Sequence, residues 1–185
     1  MTGYAFCGSH CTLSASLEVM KKLSEHEEII PIVSENVCKT NTRFWHADDF
    51  IHEIKNITGR YPISSIVDAE PLGPKIKLDS LIISPCTGNT LAKMACGITD
   101  TSVTMAAKAH LRSDRPLLIA LASNDAMSAN LQNIAALLKR KNVYFVPMHQ
   151  DDPENKPHSL VSDFAALPDA YEKMKLGGQL RPLFL

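Results

Sequence analysis

The stretch DSLIISPCTGNTLAKMACGITD, Asp79–Asp100, decides how the rest of the chain is read. Its apolar run LIIS is strand-sized and stops at Ser84-Pro85. Six small or polar residues, Ser84 to Asn89, follow, and then NTLAKMACGI has helical spacing. Hydroxyls and free backbone N–H groups gathered between a buried strand and a helix start describe a strand exit able to hold a ligand.

Working outward, the same alternation repeats. GYAFC (3–7) reads as a strand and LSASLEVMKKLSEH (13–26) as a helix. EIIPIVS (28–34) is a second strand, and ENVCKTNTRF (35–44) a polar loop. HADDFIHEIKNITG (46–59) is a helix with Gly59 as its stop. The segment 60–78, holding Pro62, Pro71, Gly73 and Pro74, is mostly irregular. LDSLIIS (78–84) is followed by two helices that break near Gly97–Asp100. Then come a strand PLLIALA (116–122), a helix SANLQNIAALLKRK (128–141) and a strand NVYFVP (142–147). Residues 147–162 read as a long polar loop, and LPDAYEKMKLGG (167–178) as a closing helix capped by Gly177. Continuous apolar strands alternating with helices predict an α/β fold: a three-layer, Rossmann-like (flavodoxin-like) parallel sheet covered on both faces. Ligands of such folds sit beyond the carboxyl ends of the strands.

The 185 residues, 45% of them apolar, suit one domain spanning 1–185. No apolar run is long enough for a membrane span, and Met1–Ser9 shows no signal sequence, which reads as cytoplasmic. A net charge of -1 excludes an electrostatic footprint for nucleic acid or an anionic membrane. The five cysteines, Cys7, Cys11, Cys38, Cys86 and Cys96, form no CxxC pair. They read as reduced thiols, with no zinc site.

Four strand exits carry candidate site residues. The first, CGSHCT, offers Gly8 for close backbone approach and Ser9 at a helix N-terminus, where an anion such as phosphate is favoured; Ser9 is equally an ordinary cap. The second holds Ser34, with Thr40 and Thr42 nearby. The third is the opening stretch, where Pro85, Gly88 and Asn89 shape a turn and Ser84, Thr87 and Thr90 supply hydroxyls. Thr90 is a cap candidate, yet three hydroxyls exceed what a cap needs. The fourth is ALASNDAMSAN, with Asn124 and Asp125 as cap candidates. No Ser-His-Asp or Cys-His set appears, and neither GxxxxGK[ST] nor GxGxxG is present. Hydroxyl- and amide-rich loops of low charge suit a neutral planar heterocycle with a phosphate tail.

SPCTGNTLAKMACGITDTSVT resembles the central motif of the flavoprotein family of homo-oligomeric, flavin-containing cysteine decarboxylases. GSHCT stands at the position of that family's phosphate loop, and ALASNDAM at its Pro-Ala-Met-Asn-x-x-Met element, with Asn124 and Met127 at matching spacing. Within the family, TNTRF, ITG, SIVDAEPLGPKI, TDTSVTMAAKAHLR, KNVYFVP and QDDPENKPHSLV extend the likeness from end to end. The resemblance implies FMN as cofactor, a homo-oligomer (trimer or dodecamer) and a partner A subunit. It also implies oxidation of a dihydrodipicolinate-type dicarboxylate to pyridine-2,6-dicarboxylate for bacterial spores.

Carried over, it puts Gly8, Ser9 and His10 around the FMN phosphate and Ser34 near the phosphate or ribityl chain. Ser84, Pro85, Thr87, Gly88, Asn89 and Thr90 then line the ribityl chain and ring, and Ser123 and Asn124 face the isoalloxazine. The family's catalytic His has no counterpart in SSIVDAEP, and Leu121 replaces the Pro of its later element. Both departures count against cysteine-type decarboxylation or prenyl-flavin transfer, which stay as alternatives beside a non-catalytic flavin carrier.

A dicarboxylate calls for cations. Arg43 is the substrate-binding candidate, because a guanidinium pairs a carboxylate through two donors; Lys93 and Lys108 are alternatives. In the loop HQDDPENKPHSLV, Asp151, Asp152 and Glu154 oppose such a ligand unless Lys156 and His158 face inward. His46 and His52 read as surface residues, His46 with some reach toward a site. Cys7 and Cys11 read as buried small hydrophobes, and Met94, Met105 and Met127 as core.

Overall fold

The computed structural model describes residues 1–73 and 75–185; Pro74, read above as part of an irregular segment, lies outside the described residues. Strands β1 (Thr2–Phe6), β2 (Ile29–Val33), β3 (Ser80–Thr87), β4 (Leu117–Ser123) and β5 (Val143–Phe145) are parallel and ordered β2-β1-β3-β4-β5. The order reverses between β1 and β3, which makes their carboxyl ends a topological switch point.

The long loop expected over 147–162 is partly ordered. β6 (Met148–His149) and β7 (Leu160–Ser162) form an antiparallel pair, and β7 runs antiparallel to the end of β4. β4 is thus paired with β5 along its first half and with β7 at Ala122 and Ser123. That places the 150–159 turn over the carboxyl ends of the parallel strands.

Side chains alternate between two cores. Ala5, Ile32, Leu81, Ile83, Ile119 and Leu121 face one layer, packed by α5 (Gly88–Cys96), α6 (Ser102–Leu111) and α7 (Leu131–Leu138). Tyr4, Phe6, Val33, Ile82 and Leu118 face the other, packed by α1 (Leu13–Ser24), α3 (Ala47–Thr58) and α8 (Leu167–Lys175). Both layers bury full-length apolar side chains, the dominant favourable contribution to folding. Gly59 and Gly177 take left-handed φ angles of 72° and 75° just past their helices, a conformation with no Cβ penalty for glycine.

Several local expectations change. Residues Glu35–Lys39 form a short helix, α2, instead of loop, and Ile66–Ala69 form one helical turn, α4, capped by Ser65. α7 starts at Leu131 rather than near 128, because Asp125 holds the preceding residues in a turn through its carbonyl. The largest change is at β3. The strand does not stop at Ser84 but continues to Thr87, with a register shift in which Ile83 pairs Ile119 and Cys86 pairs Leu121. Three residues thus oppose two, a bulge at Ser84-Pro85, whose peptide bond is cis. The extra residue flips the alternation, so Cys86 faces the same core as Ile83.

The bulge leaves Ser84 inside the protein. Its hydroxyl lies 2.9 Å from Ser16 Oγ, which donates to the Ser84 carbonyl at 2.6 Å; Tyr4 donates to the Ser16 carbonyl at 2.9 Å. Burial pushes the Tyr4 phenol up to about 12, so it stays a neutral donor.

His110, buried on α6, donates from Nε2 to the Pro116 carbonyl at 2.8 Å and ties the helix end to the start of β4. Burial lowers its pKa, so the unfolded chain binds a proton more readily than the folded one. Stability therefore declines as pH falls below about 6.5, the ordinary histidine value. Melting temperatures measured from pH 7.5 to 5.5 should drop for the natural chain and drop less for His110→Gln. Equal slopes would contradict this role.

Candidate functional site

A cleft of about 640 Å³ opens at the switch point, within the roughly 300–1,000 Å³ typical of small-molecule sites. Its walls come from the exits of β1, β3 and β4 and from two loops, residues 43–44 beyond β2 and 151–161 leading into β7. Of the residues singled out by sequence, Gly8, Ser9, His10, Arg43, Thr87, Gly88, Asn89, Ser123 and Asn124 line it together. Ser34, Ser84, Pro85 and Thr90 are not in its lining.

The first exit presents unpaired backbone N–H groups. β1 ends at Phe6, and the chain passes through Cys7–Ser9 into a 3₁₀ turn, His10–Thr12, that runs straight into α1. Ser9 N–H turns back to the Cys7 carbonyl at 2.8 Å, and the N–H groups of Gly8, His10 and Cys11 reach no backbone carbonyl among the described residues. The Ser9 hydroxyl accepts from Thr12 at 3.0 Å and caps no backbone group. Unpaired N–H groups at the start of a twelve-residue helix favour negative charge.

Ser34, at the end of β2, caps α2 only by position. Its hydroxyl is buried and has no hydrogen-bond partner among the described residues. A buried hydroxyl left unpaired is costly, and a polar ligand atom would satisfy it.

The third exit is more self-contained than its composition implied. Thr87, not Thr90, caps α5; it takes the Thr90 N–H at 3.3 Å and donates to the Thr90 hydroxyl at 3.1 Å. With Ser84 committed to Ser16 and Thr87 to Thr90, all three hydroxyls are used internally, and Thr87, Gly88 and Asn89 are what the cleft meets. Gly88 is required by crowding. A Cβ there would stand 2.6 Å from Asn130 Nδ2, 2.9 Å from Asp125 Oδ1 and closer still to Ser123 Oγ.

Those three side chains form the fourth exit. Ser123 donates to Asp125 Oδ1 at 2.5 Å and Asn130 donates to the same oxygen at 2.9 Å. The Ser123 hydroxyl, and then the Asn130 amide, lower the Asp125 pKa, so the carboxylate is ionised at neutral pH. Asp125 therefore organises the turn rather than capping α7.

The sequence reading did not single out Cys11, Thr12, Phe44, Ser159 or Leu160 as lining residues; it read Asp125 as a cap, and set Asp151 against a dicarboxylate unless Lys156 and His158 faced inward. Cys11 is exposed at the cleft, whereas Cys7 is buried beside Cys86, whose thiol burial pushes well up. Lys156 enters the cleft and pairs with Asp151 at 2.8 Å; His158 is not in the lining, and its carbonyl accepts the Met127 N–H at 2.9 Å. His46 lies at the α3 N-terminus outside the lining, and Lys93 pairs with Asp100 at 2.9 Å. Among the described residues no cluster of three His, Cys, Asp or Glu is placed to hold a metal. No described helix is long and apolar enough to cross a membrane. A second hollow of about 390 Å³ lies on the helix flanks of α5 and α6, away from the strand ends.

A parallel sheet with this switch-point cleft is the architecture of a nucleotide-type binding protein. The chain belongs to the Flavoprotein family, whose model matches residues 4–166. It is 42% identical over 184 residues to the dipicolinate synthase B chain of Bacillus subtilis (strain 168), covering 99% of this chain and 92% of that one. The crystal structure of the corresponding dipicolinate synthase B chain from Bacillus halodurans C superposes with a TM-score of 0.91 at 40% identity, over all of this chain and 95% of the other. The FMN-dependent cysteine decarboxylase SpaF, 24% identical, covers 94% and 95% of the two chains with a TM-score of 0.67, which shows a shared fold.

Proposed function

We propose that the switch-point cleft binds FMN and that the chain is the flavin-binding component of a dipicolinate-forming synthase, working in the cytoplasm with an A subunit. On this reading it takes a dihydrodipicolinate-type dicarboxylate to pyridine-2,6-dicarboxylate. The observation that carries the proposal is the convergence of residues 8–12, 87–89 and 122–125 on one cleft. The near-full-length likeness to the Bacillus subtilis synthase chain supports the choice of substrate.

The residues present suit FMN. Gly8, His10 and Cys11 offer unpaired N–H groups for a phosphate, with the Ser9 hydroxyl beside them, and Asp125 belongs to the fourth exit. Thr87, Gly88 and Asn89 would flank the ribityl chain, and Ala122, Ser123 and Asn124 the ring. FMN, when bound, supplies a two-electron acceptor for a hydride from the dihydropyridine. The chain's own part is to fix the phosphate end, to hold the substrate carboxylate on Arg43, and to exclude water with the 151–161 wall. The substrate also loses a proton, and the aromatic product makes the oxidation favourable.

A homo-oligomer belongs to the same proposal. The alternative of cysteine decarboxylation or prenyl transfer is disfavoured by SSIVDAEP, which lacks a histidine where the family motif has one. In a flavin carrier, the A subunit alone would keep full turnover. Mixing the chain, FMN, the A subunit and dihydrodipicolinate should give pyridine-2,6-dicarboxylate, followed by its ultraviolet absorbance. Full turnover without this chain, or carbon dioxide release from a peptidyl cysteine, would overturn the assignment.

A further inference from the structure

The geometry points to Lys156 as a second carboxylate-binding residue of the cleft, with Asp151 an internal counter-ion that a dicarboxylate displaces and a monocarboxylate does not. The inference rests on the substrate class proposed above and deepens it.

Two carboxylates on either side of a pyridine nitrogen present two separated anionic groups. Arg43 and Lys156 are the arginine and lysine side chains in the cleft lining, and they arrive from different ends of the sheet. Arg43 follows α2, beyond β2; Lys156 lies in the turn before β7, beyond β4. The Arg43 guanidinium has no ion pair among the described residues and rests 4.8 Å from the centre of the Phe44 ring. It is available to a first carboxylate.

Lys156 is already occupied. Its ammonium holds Asp151 at 2.8 Å, and that hydrogen bond is the first cause of the lowered Asp151 pKa. The backbone around Lys156 is braced. Its N–H donates to the Asp152 carbonyl at 2.8 Å, its carbonyl accepts from Ser159 at 3.0 Å, and Gln150 Nε2 donates to the Pro157 carbonyl at 3.0 Å. A change of partner therefore needs only side-chain motion. The pair is open to solvent, with Lys156 47% and Asp151 32% exposed, so little is lost on parting them.

Charge decides who benefits. Arg43 and Lys156 against Asp125 and Asp151 give +2 and -2, a formally neutral lining. A dianion bridging the two cations meets Asp151 as a like charge at the Lys156 end, and binding proceeds as Asp151 swings away. A monocarboxylate satisfied by Arg43 leaves the Asp151–Lys156 pair intact. The cleft thus selects for the second carboxylate through competition with its own aspartate.

Calorimetric titration of the full-length protein, with and without FMN, tests this with pyridine-2,6-dicarboxylate and pyridine-2-carboxylate. Lys156→Met should weaken the dicarboxylate about tenfold and leave the monocarboxylate and FMN unchanged. Asp151→Asn should act in the opposite direction, tightening the dicarboxylate by about threefold with the monocarboxylate unchanged. If Asp151→Asn weakens the dicarboxylate as Lys156→Met does, the pair only braces its loop and the inference fails. It fails too if Lys156→Met weakens both acids equally. A natural chain that takes up FMN but neither acid overturns the inference together with the proposed substrate, leaving the cofactor proposal standing. A chain that binds both acids with the expected variant pattern, yet no FMN, upholds the inference and sinks only the cofactor.

Discussion

Gly88→Ala should lower stability by about 2 kcal/mol and abolish tight FMN binding. An added Cβ would press on Asn130 Nδ2 and Asp125 Oδ1 at 2.6 and 2.9 Å, and more closely on Ser123 Oγ. These groups cannot step aside singly, because Ser123 and Asn130 share one oxygen of Asp125. Overpacking of this kind costs about 1–3 kcal/mol, and an alanine in a helix recovers up to about 1 kcal/mol over glycine. For a chain of this length the net loss is a fall of about 4–8 °C in melting temperature. The turn that carries Ser123 and Asn124 moves with the knot, so FMN affinity should drop at least about tenfold, an allowance for a misplaced wall of the site. Thermal melting and flavin fluorescence titration measure the two effects. Ser123→Ala in the same chain should restore part of the stability by removing the nearest obstacle. A Gly88→Ala protein with natural stability and natural FMN affinity would show that the crowding does not matter.

The second large effect separates folding from binding. Gly8→Ala should cost less than about 1 kcal/mol of stability, as for a substitution without a steric conflict, yet weaken FMN at least about tenfold. The first Cβ at Gly8 would meet Asn36 Cβ at 3.4 Å and His10 Nε2 at 3.5 Å, ordinary contact distances. The fold has room for it. The phosphate does not, because the side chain would crowd His10 and the N–H groups through which close backbone approach works. Equal losses of stability and affinity would mean that Gly8 serves the fold rather than the ligand.

The two glycines also show what could be read from the chain alone. The place of Gly8 at the cleft was legible because it is local: a glycine between a strand and a helix start marks a strand exit. The strands β1 to β5 were legible for the same reason, since runs such as PLLIALA have no alternative to burial. Ser84 was not. Its partner Ser16 is 68 residues away, and the bulge that turns it inward follows from pairing with β4, which local pattern does not encode. Thr87 took the cap expected of Thr90 because capping depends on where β3 ends, and the bulge lengthens β3. β6 and β7, two and three residues long, are too short for any periodicity to register. Hence the sequence left open whether Lys156 faces inward; β7 pairing with Ala122 and Ser123 pulls that loop over the cleft. Asp125 appeared in the sequence as a cap; only its convergence with Ser123, Asn130 and Gly88 reveals why a glycine opens α5.

The central claim is that separate turns beyond β1, β3 and β4 together hold one flavin nucleotide. A crystal structure of the protein grown with FMN tests it most directly. The phosphate should lie against the backbone N–H groups of Gly8, His10 and Cys11, with the ring beside Ala122–Asn124. FMN lodged in the hollow on the α5 and α6 flanks, or crystals that stay colourless at saturating nucleotide, would contradict it.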